Sequence, residues 1–209
     1  MQYRAVIFDV GGVVVGSPLH AIAQYERDKN ILAGAINRVI VETGHAGAWS
    51  RLERGELGLD TFYADFGRDC GAIGPAFSAR EMMERIAACV VPRPQMIAAI
   101  RHIRGRGIKV AALTNNWITD APVENPLRDL FDVFVESSVL GLRKPDPRIY
   151  EIACERVGVP AREVVFLDDI GRNLKTARGL GMTTIKVDDP DEALTTLGGL
   201  LGFSLVEAS

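Results

Sequence analysis

Cysteine is scarce in this chain of 209 residues, which carries only Cys70, Cys89 and Cys154. An odd number of thiols far apart suggests neither a disulfide framework nor a thiolate metal site, and the expectation is a reduced, cytoplasmic protein. Histidine is just as sparse, at His20, His45 and His102. No apolar run reaches the ~18 residues that a membrane span needs. Asp9 breaks the only early apolar run, which argues against a secretory signal there. Nor does charge of one sign dominate. With 24 Lys and Arg against 27 Asp and Glu, the net charge is −3. That balance offers no general attraction to nucleic acid phosphates or acidic membranes. There is no internal repeat and no low-complexity segment. Hydrophobic residues at 47% and charged residues at 24% supply ample material for a core. The length fits one large domain, or a core domain with a smaller insert.

What is present is a rhythm of short apolar runs: AVIF (5–8), VAAL (110–113), VFV (133–135), VVFL (164–167) and TIKV (184–187). They are rich in valine and do not alternate with polar residues, as expected of strands buried on both faces. Helical patterns at 94–105, 149–158, 173–181 and 190–202 separate most of them or follow the last. Strand and helix in alternation predict an α/β, Rossmann-like core: a mostly parallel sheet with helices on both faces. Ligands then bind beyond the carboxyl ends of the strands.

Residues 17–89 interrupt this order. They read as several helices, the last beginning at Ser78, whose spacing to Glu81 is that of a capping box. The VIV run at 39–41 inside the second is also compatible with a strand. The expected division is a core from 1–16 and 90–209 with a helical insert at 17–89.

Polar residues stand where the runs end. Asp9 follows the first, Thr114 and Asn115 the second, and Asp168 and Asp169 the fourth, with Asn173 soon after; the third leads on to Lys144. In a parallel sheet these groups gather along one edge. Carboxylates, one ammonium, a hydroxyl and amides suit a divalent cation and a phosphate, and Mg²⁺ in particular takes a few carboxylates, carbonyls and phosphate oxygens. Each has a plainer reading. An Asp after a strand serves as a turn or cap residue, Thr114 and Asn115 as turn residues, and Lys144 as a solvated charge. Asp168 and Asp169 can cap the following helix, and Asp146 before Pro147 reads as an N-cap. The case for a site rests on their conjunction.

This ordered set resembles the haloacid dehalogenase superfamily, most of whose members are Mg²⁺-dependent phosphatases. The likeness covers nearly the whole chain and is carried by LTNNW (113–117), GLRKPDPRIY (141–150) and VFLDDIGRNLKTARGLGMTTIKV (165–187). It is strongest toward the phosphatase domains fused in epoxide hydrolases and in acyl-CoA dehydrogenase-like proteins. The resemblance implies that Asp9 is a nucleophile forming an aspartyl-phosphate and also a metal ligand. It implies that Thr114, Asn115 and Lys144 bind phosphate, with Lys144 also catalytic by neutralising charge. Asp169 and the carbonyl of Gly11 would hold Mg²⁺, supported by Asp168 and Asn173, and 17–89 would be the cap. The implied substrate is a small phosphorylated molecule.

The departure from the pattern is Gly11, where most family phosphatases have a second Asp that protonates the leaving oxygen. Such a group supplies ~10²–10⁴-fold in rate. Three readings follow: a phosphatase for good leaving groups, a non-catalytic or slow phosphate-binding module, or a 2-haloacid dehalogenase, since halide leaves without a proton. His20, at the start of the insert, is a candidate substitute acid or substrate contact, against the plainer reading of a helix-surface residue. Trp117 is a candidate apolar wall for the substrate, or packing against the insert. Trp49, Phe62, Tyr63 and Phe66 read as the insert's own core, and His45 and His102 as structural.

Overall fold

In the computed structural model, which describes residues 2–74, 76–119 and 126–206, the apolar runs become a five-stranded sheet. β1 (Ala5–Phe8), β2 (Lys109–Thr114), β3 (Val133–Glu136), β4 (Val164–Asp168) and β5 (Thr183–Lys186) lie in the order β3-β2-β1-β4-β5. All four pairings are parallel. The α/β, Rossmann-like expectation holds, with β5 one residue earlier than its apolar run suggests.

The register shows why the strands lack alternation. Val6, Phe8, Val110, Ala112, Val165 and Leu167 face one core, shared with α6 (Pro94–Gly105) and α10 (Pro190–Leu201). Ala5, Ile7, Ala111, Leu113, Val164 and Phe166 face the other, shared with α8 (Pro147–Val157) and α9 (Gly171–Gly179). Both faces of each strand are covered, so both sets of positions must be apolar. Helices α8 and α9 begin two residues before their apolar patterns because Pro147 and Gly171 open them. Asp146 accepts from the amide of Arg148 at 3.0 Å, as an N-cap should.

Among the described residues, five α-helices lie between Pro18 and Ala88: α1 (Pro18–Asp28), α2 (Ala35–Thr43), α3 (Ala48–Glu53), α4 (Leu59–Asp69) and α5 (Ala79–Ala88). The VIV run falls inside α2. These helices enclose a third apolar cluster, built around Ile22, Tyr25, Leu52, Phe62, Phe66 and Met82. Two acids, Glu26 and Asp69, organise it by accepting from helix N-terminal amides. Glu26 accepts from the amides of Gly34 (2.7 Å) and Ile36 (2.8 Å), and Asp69 from that of Ala48 (2.8 Å). The Ser78 box is only half closed. Ser78 accepts from the Glu81 amide at 3.3 Å, but its own amide donates to Tyr25 Oη at 2.7 Å. The Glu81 carboxylate pairs instead with Lys29 and Arg85. Among the described residues no helix is long and apolar enough to cross a membrane.

The strand order reverses between β1 and β4, since β2 and β3 lie to one side of β1 and β4 and β5 to the other. Such a switch point opens a crevice at the carboxyl ends of the strands.

Candidate active site

Asp9 stands at that crevice, its amide donating to Leu167 O at 2.8 Å and so tying it to the end of β4. Its Oδ1 accepts from the Val10 amide at 2.7 Å and lies 2.8 Å from Lys144 Nζ. Lys144, only 1% exposed, also contacts Asp168 Oδ2 at 2.7 Å. Asp168 is held further by Asn173 Nδ2, 3.1 Å from each oxygen, and by the Ile170 amide at 2.7 Å. Asn115 fixes the lysine from its backbone. It donates to Lys144 O at 3.1 Å and accepts from Lys144 N at 2.8 Å. This engagement of its side-chain amide is a positioning contact that its place in the sequence did not disclose. Thr114 is buried at the end of β2, where its hydroxyl makes one long contact to Asn115 O at 3.4 Å.

Asp169 is held differently. Ser17 Oγ donates to its Oδ2 at 3.2 Å, while its Oδ1 is buried with no hydrogen-bond partner among the described residues. Asp9, Asp168 and Asp169 offer oxygens that all lie within 4.8 Å of one another. Burial pushes the Asp9 carboxyl well above the usual carboxylate range; Lys144 pulls it back, and Asp168 and Asp169 push it up again. Asp169 is raised by burial and then by Asp168. For Lys144 burial favours the neutral amine, but Asp168 and Asp9 outweigh it and its pKa ends above the usual value. Three clustered carboxylates share one ammonium, so the site is short of positive charge. A hard divalent cation with oxygen ligands would supply it, and the orphaned Asp169 oxygen suits that donor set.

The two glycines after Asp9 serve different ends. Gly12 has φ +82°, and a Cβ there would fall 2.1 Å from Asp169 Oδ2, so bare backbone is required for that carboxylate to sit where it does. At Gly11 a Cβ would meet only the Pro18 ring, at 3.3 Å from Cδ and 3.4 Å from Cγ, a close fit that a small shift relieves. The absence of a side chain at Gly11 is therefore not imposed by packing in the way that Gly12 is.

Above these groups lies a cavity of about 350 Å³. Asp9, Gly11, Asn115, Lys144 and Asp169 form its floor, and α1, α2 and α3 supply an apolar wall through Leu19, Ile22, Ile40, Val41 and Trp49. Trp117 lines the cavity and also packs edge-on against Trp49, with centroids 6.2 Å apart. Trp49 likewise belongs to the cavity as well as to the helical core. Three charged residues that the sequence pattern did not single out join the lining: Glu53, Arg143 and Arg172. Arg143 Nε sits 2.5 Å from Glu53 Oε2, an ion pair whose angle falls outside hydrogen-bond geometry, and its Nη1 donates to Ser50 Oγ at 2.7 Å. Ser17 was also missed. It precedes a helix-opening Pro18, as a cap residue does, yet makes no side-chain cap bond and holds Asp169 instead.

His20 is exposed on α1 and does not line the cavity. His45 Nδ1 contacts Arg54 Nη1 at 3.2 Å, and His102 stacks on Phe203 with centroids 5.4 Å apart.

Residues 3–181 match the model of the haloacid dehalogenase-like hydrolases. Acyl-CoA dehydrogenase family member 10 from Mus musculus is 40% identical over 98% of this chain and 20% of its own length. Bifunctional epoxide hydrolase 2 from Sus scrofa is 30% identical over 99% of this chain and 40% of its own length. The chain thus spans less than half of either relative. The sesquiterpene phosphatase astK from Aspergillus oryzae, 30% identical, is matched almost end to end, over 96% of this chain and 97% of its own. Among solved structures, a HAD family enzyme from Bacteroides thetaiotaomicron in complex with magnesium and inorganic phosphate shares the fold. Its TM-score is 0.62 at 18% identity, over 88% of this chain and 93% of that one.

Proposed function

The chain belongs to the haloacid dehalogenase-like hydrolases, and from that premise we propose that it is a magnesium-dependent phosphatase acting on a small phosphorylated metabolite. The observation that carries this reading is the charge deficit of the floor: Asp9, Asp168 and Asp169 around the single ammonium of Lys144, with one Asp169 oxygen left unpartnered. A relative named as a phosphatase and matched over nearly its full length agrees with it.

In this reading Asp9, Asp169 and the carbonyl of Gly11 hold Mg²⁺, which when bound offsets the repulsion between phosphate and Asp9. Asp9 Oδ1 is engaged by Val10 and Lys144, which leaves Oδ2 to attack phosphorus. The bond from phosphorus to the leaving oxygen breaks, and the electron pair departs with that oxygen. Water then attacks phosphorus in the aspartyl-phosphate, the bond from phosphorus to Asp9 breaks to restore the carboxylate, and the water's proton leaves with the phosphate. Lys144 neutralises charge on the transferring group, and Thr114 and Asn115 border it. Asp168 and Asn173 keep Lys144 in place. The block 17–89 acts as the cap, and its apolar wall receives the organic part of the substrate.

Gly11 supplies a carbonyl but no acid, and His20 on the outside of α1 does not replace it. The preferred substrates are therefore esters whose leaving groups need little protonation, such as acyl or hemiacetal phosphates. The same missing acid favours a second reading, a phosphate-binding module with slow turnover. The dehalogenase alternative has no use for the acidic pair of Asp168 and Asp169. Hydrolysis of acetyl phosphate and p-nitrophenyl phosphate, with Mg²⁺ and with chelator, is the test. Turnover that needs Mg²⁺ and falls at least ~10⁴-fold in Asp9→Asn is expected. Metal-independent turnover, or an active Asp9→Asn, would overturn the proposal.

A further inference from the structure

Three basic side chains, Lys144, Arg143 and Arg172, line the cavity, and two of them are already paired. Lys144 is engaged by Asp9 and Asp168, and Arg143 by Glu53 and Ser50. Arg172, at the start of α9, lines the same cavity near Asp169 and Asn173; the residue is exposed, and its guanidinium has no hydrogen-bond or ion-pair partner among the described residues. Two guanidinium groups thus border one cavity, and Glu53 is already paired with Arg143. Partial burial and then repulsion from Arg143 hold the Arg172 pKa below the usual arginine value, with Glu53 and Asp168 pulling the other way. An anion at that place relieves the repulsion, and a guanidinium binds an oxyanion through paired donors. Much of the remaining lining is hydrocarbon, from Ile22, Ile40, Val41 and the two tryptophans.

Resting on the phosphatase reading above, we propose that the substrate is a phosphate monoester with a second anionic group, a carboxylate or another phosphate, separated from the first by an apolar body. The scissile phosphate meets Asp9 and Lys144, the body lies along the wall, and the second oxyanion pairs with Arg172. Arg172 is then a specificity-determining residue and takes no part in bond breaking. An alcohol phosphate with a neutral tail fills the wall but leaves Arg172 unpaired, and so binds less well.

Non-hydrolysable phosphonates test this apart from catalysis. Calorimetry on the Mg²⁺-loaded protein compares ω-phosphonoalkanoates of graded chain length, their methyl esters and the matching bisphosphonates. The expected result is that the free acid or the bisphosphonate binds about tenfold tighter than the ester at the best length, as one charge-assisted contact warrants. In Arg172→Gln that ratio collapses toward one, and in Arg172→Lys it is partly kept. Which of the two dianions binds tighter identifies the second oxyanion. Equal binding of acid and ester, or a ratio that survives Arg172→Gln, would overturn the inference while leaving the phosphatase reading intact. Failure of every phosphonate to bind would overturn both.

Discussion

Floor and wall of the cavity are made of different materials. Lys144, Asp168 and Asn115 are each held by two or more polar partners at about hydrogen-bond distance. The wall from α1, α2 and α3 is chiefly side-chain hydrocarbon, several members of which also pack the helical core. A rigid, charge-deficient floor suits one chemistry applied to many substrates, since electrostatic positioning requires preorganised groups. An apolar wall can change by substitution without disturbing that chemistry. In the proposed phosphatase the floor sets the reaction type, and the wall sets the fit of the substrate's apolar body.

The comparison breaks most sharply at Asp169. In Asp169→Asn, Mg²⁺ affinity measured by calorimetry should fall by about 100-fold or more, with the circular dichroism spectrum unchanged, because a charged oxygen ligand is lost from the site. Unaltered affinity would remove the proposed metal site. Protons should compete with the metal as well. Raised pKa values at Asp9 and Asp169 favour the metal-free fold at low pH, and that contribution is lost as pH climbs through them. Mg²⁺ requires both groups ionised, so its apparent affinity, and the rise in Tm that it produces, should grow with pH over the same range.

Trp49 tests whether the wall doubles as core. Trp49→Ala should cost about 3–5 kcal/mol of stability in denaturant unfolding, as for other buried aromatics, in addition to weakening substrate binding. Val41 lines the cavity yet is half exposed on α2, so it separates the two roles. Val41→Ala should leave the unfolding midpoint within about 0.5 kcal/mol of the parent. It should raise KM for an apolar phosphate about threefold, more than it lowers kcat.

The floor was legible in the sequence because each group follows an apolar run, and a parallel sheet brings those ends together without further information. Asp9, Lys144, Asp168, Asp169 and Asn173 converge for that reason. What escaped depends on contacts between distant segments. Glu53 ends a short amphipathic helix, and nothing local says that it reaches Arg143 and Asn115. Arg172 looks like any helix-surface arginine until the cavity beside it is seen. Trp49 reads correctly as helical core, but pattern alone cannot tell that one edge of it faces a cavity. His20 failed as a candidate for the converse reason: closeness in sequence to Asp9 does not determine which side of α1 it occupies. The helix starts at Pro147 and Gly171 show in the acids before them, Asp146 and then Asp168 and Asp169, rather than in the apolar patterns, which begin two residues later.

The most direct test of the account is the dependence of Mg²⁺-supported kcat/KM on leaving-group pKa, across a series of substituted phenyl and alkyl phosphates, in the parent protein and in Gly11→Asp. A floor complete except for its acid predicts a steep fall in rate as the leaving group becomes more basic. In Gly11→Asp, where packing leaves room for a Cβ with a small shift from Pro18, the slope should flatten and the poorest substrates should gain about 10²-fold. A parent protein whose rates ignore leaving-group pKa, or that is silent on the best leaving group with Mg²⁺ bound, would contradict it.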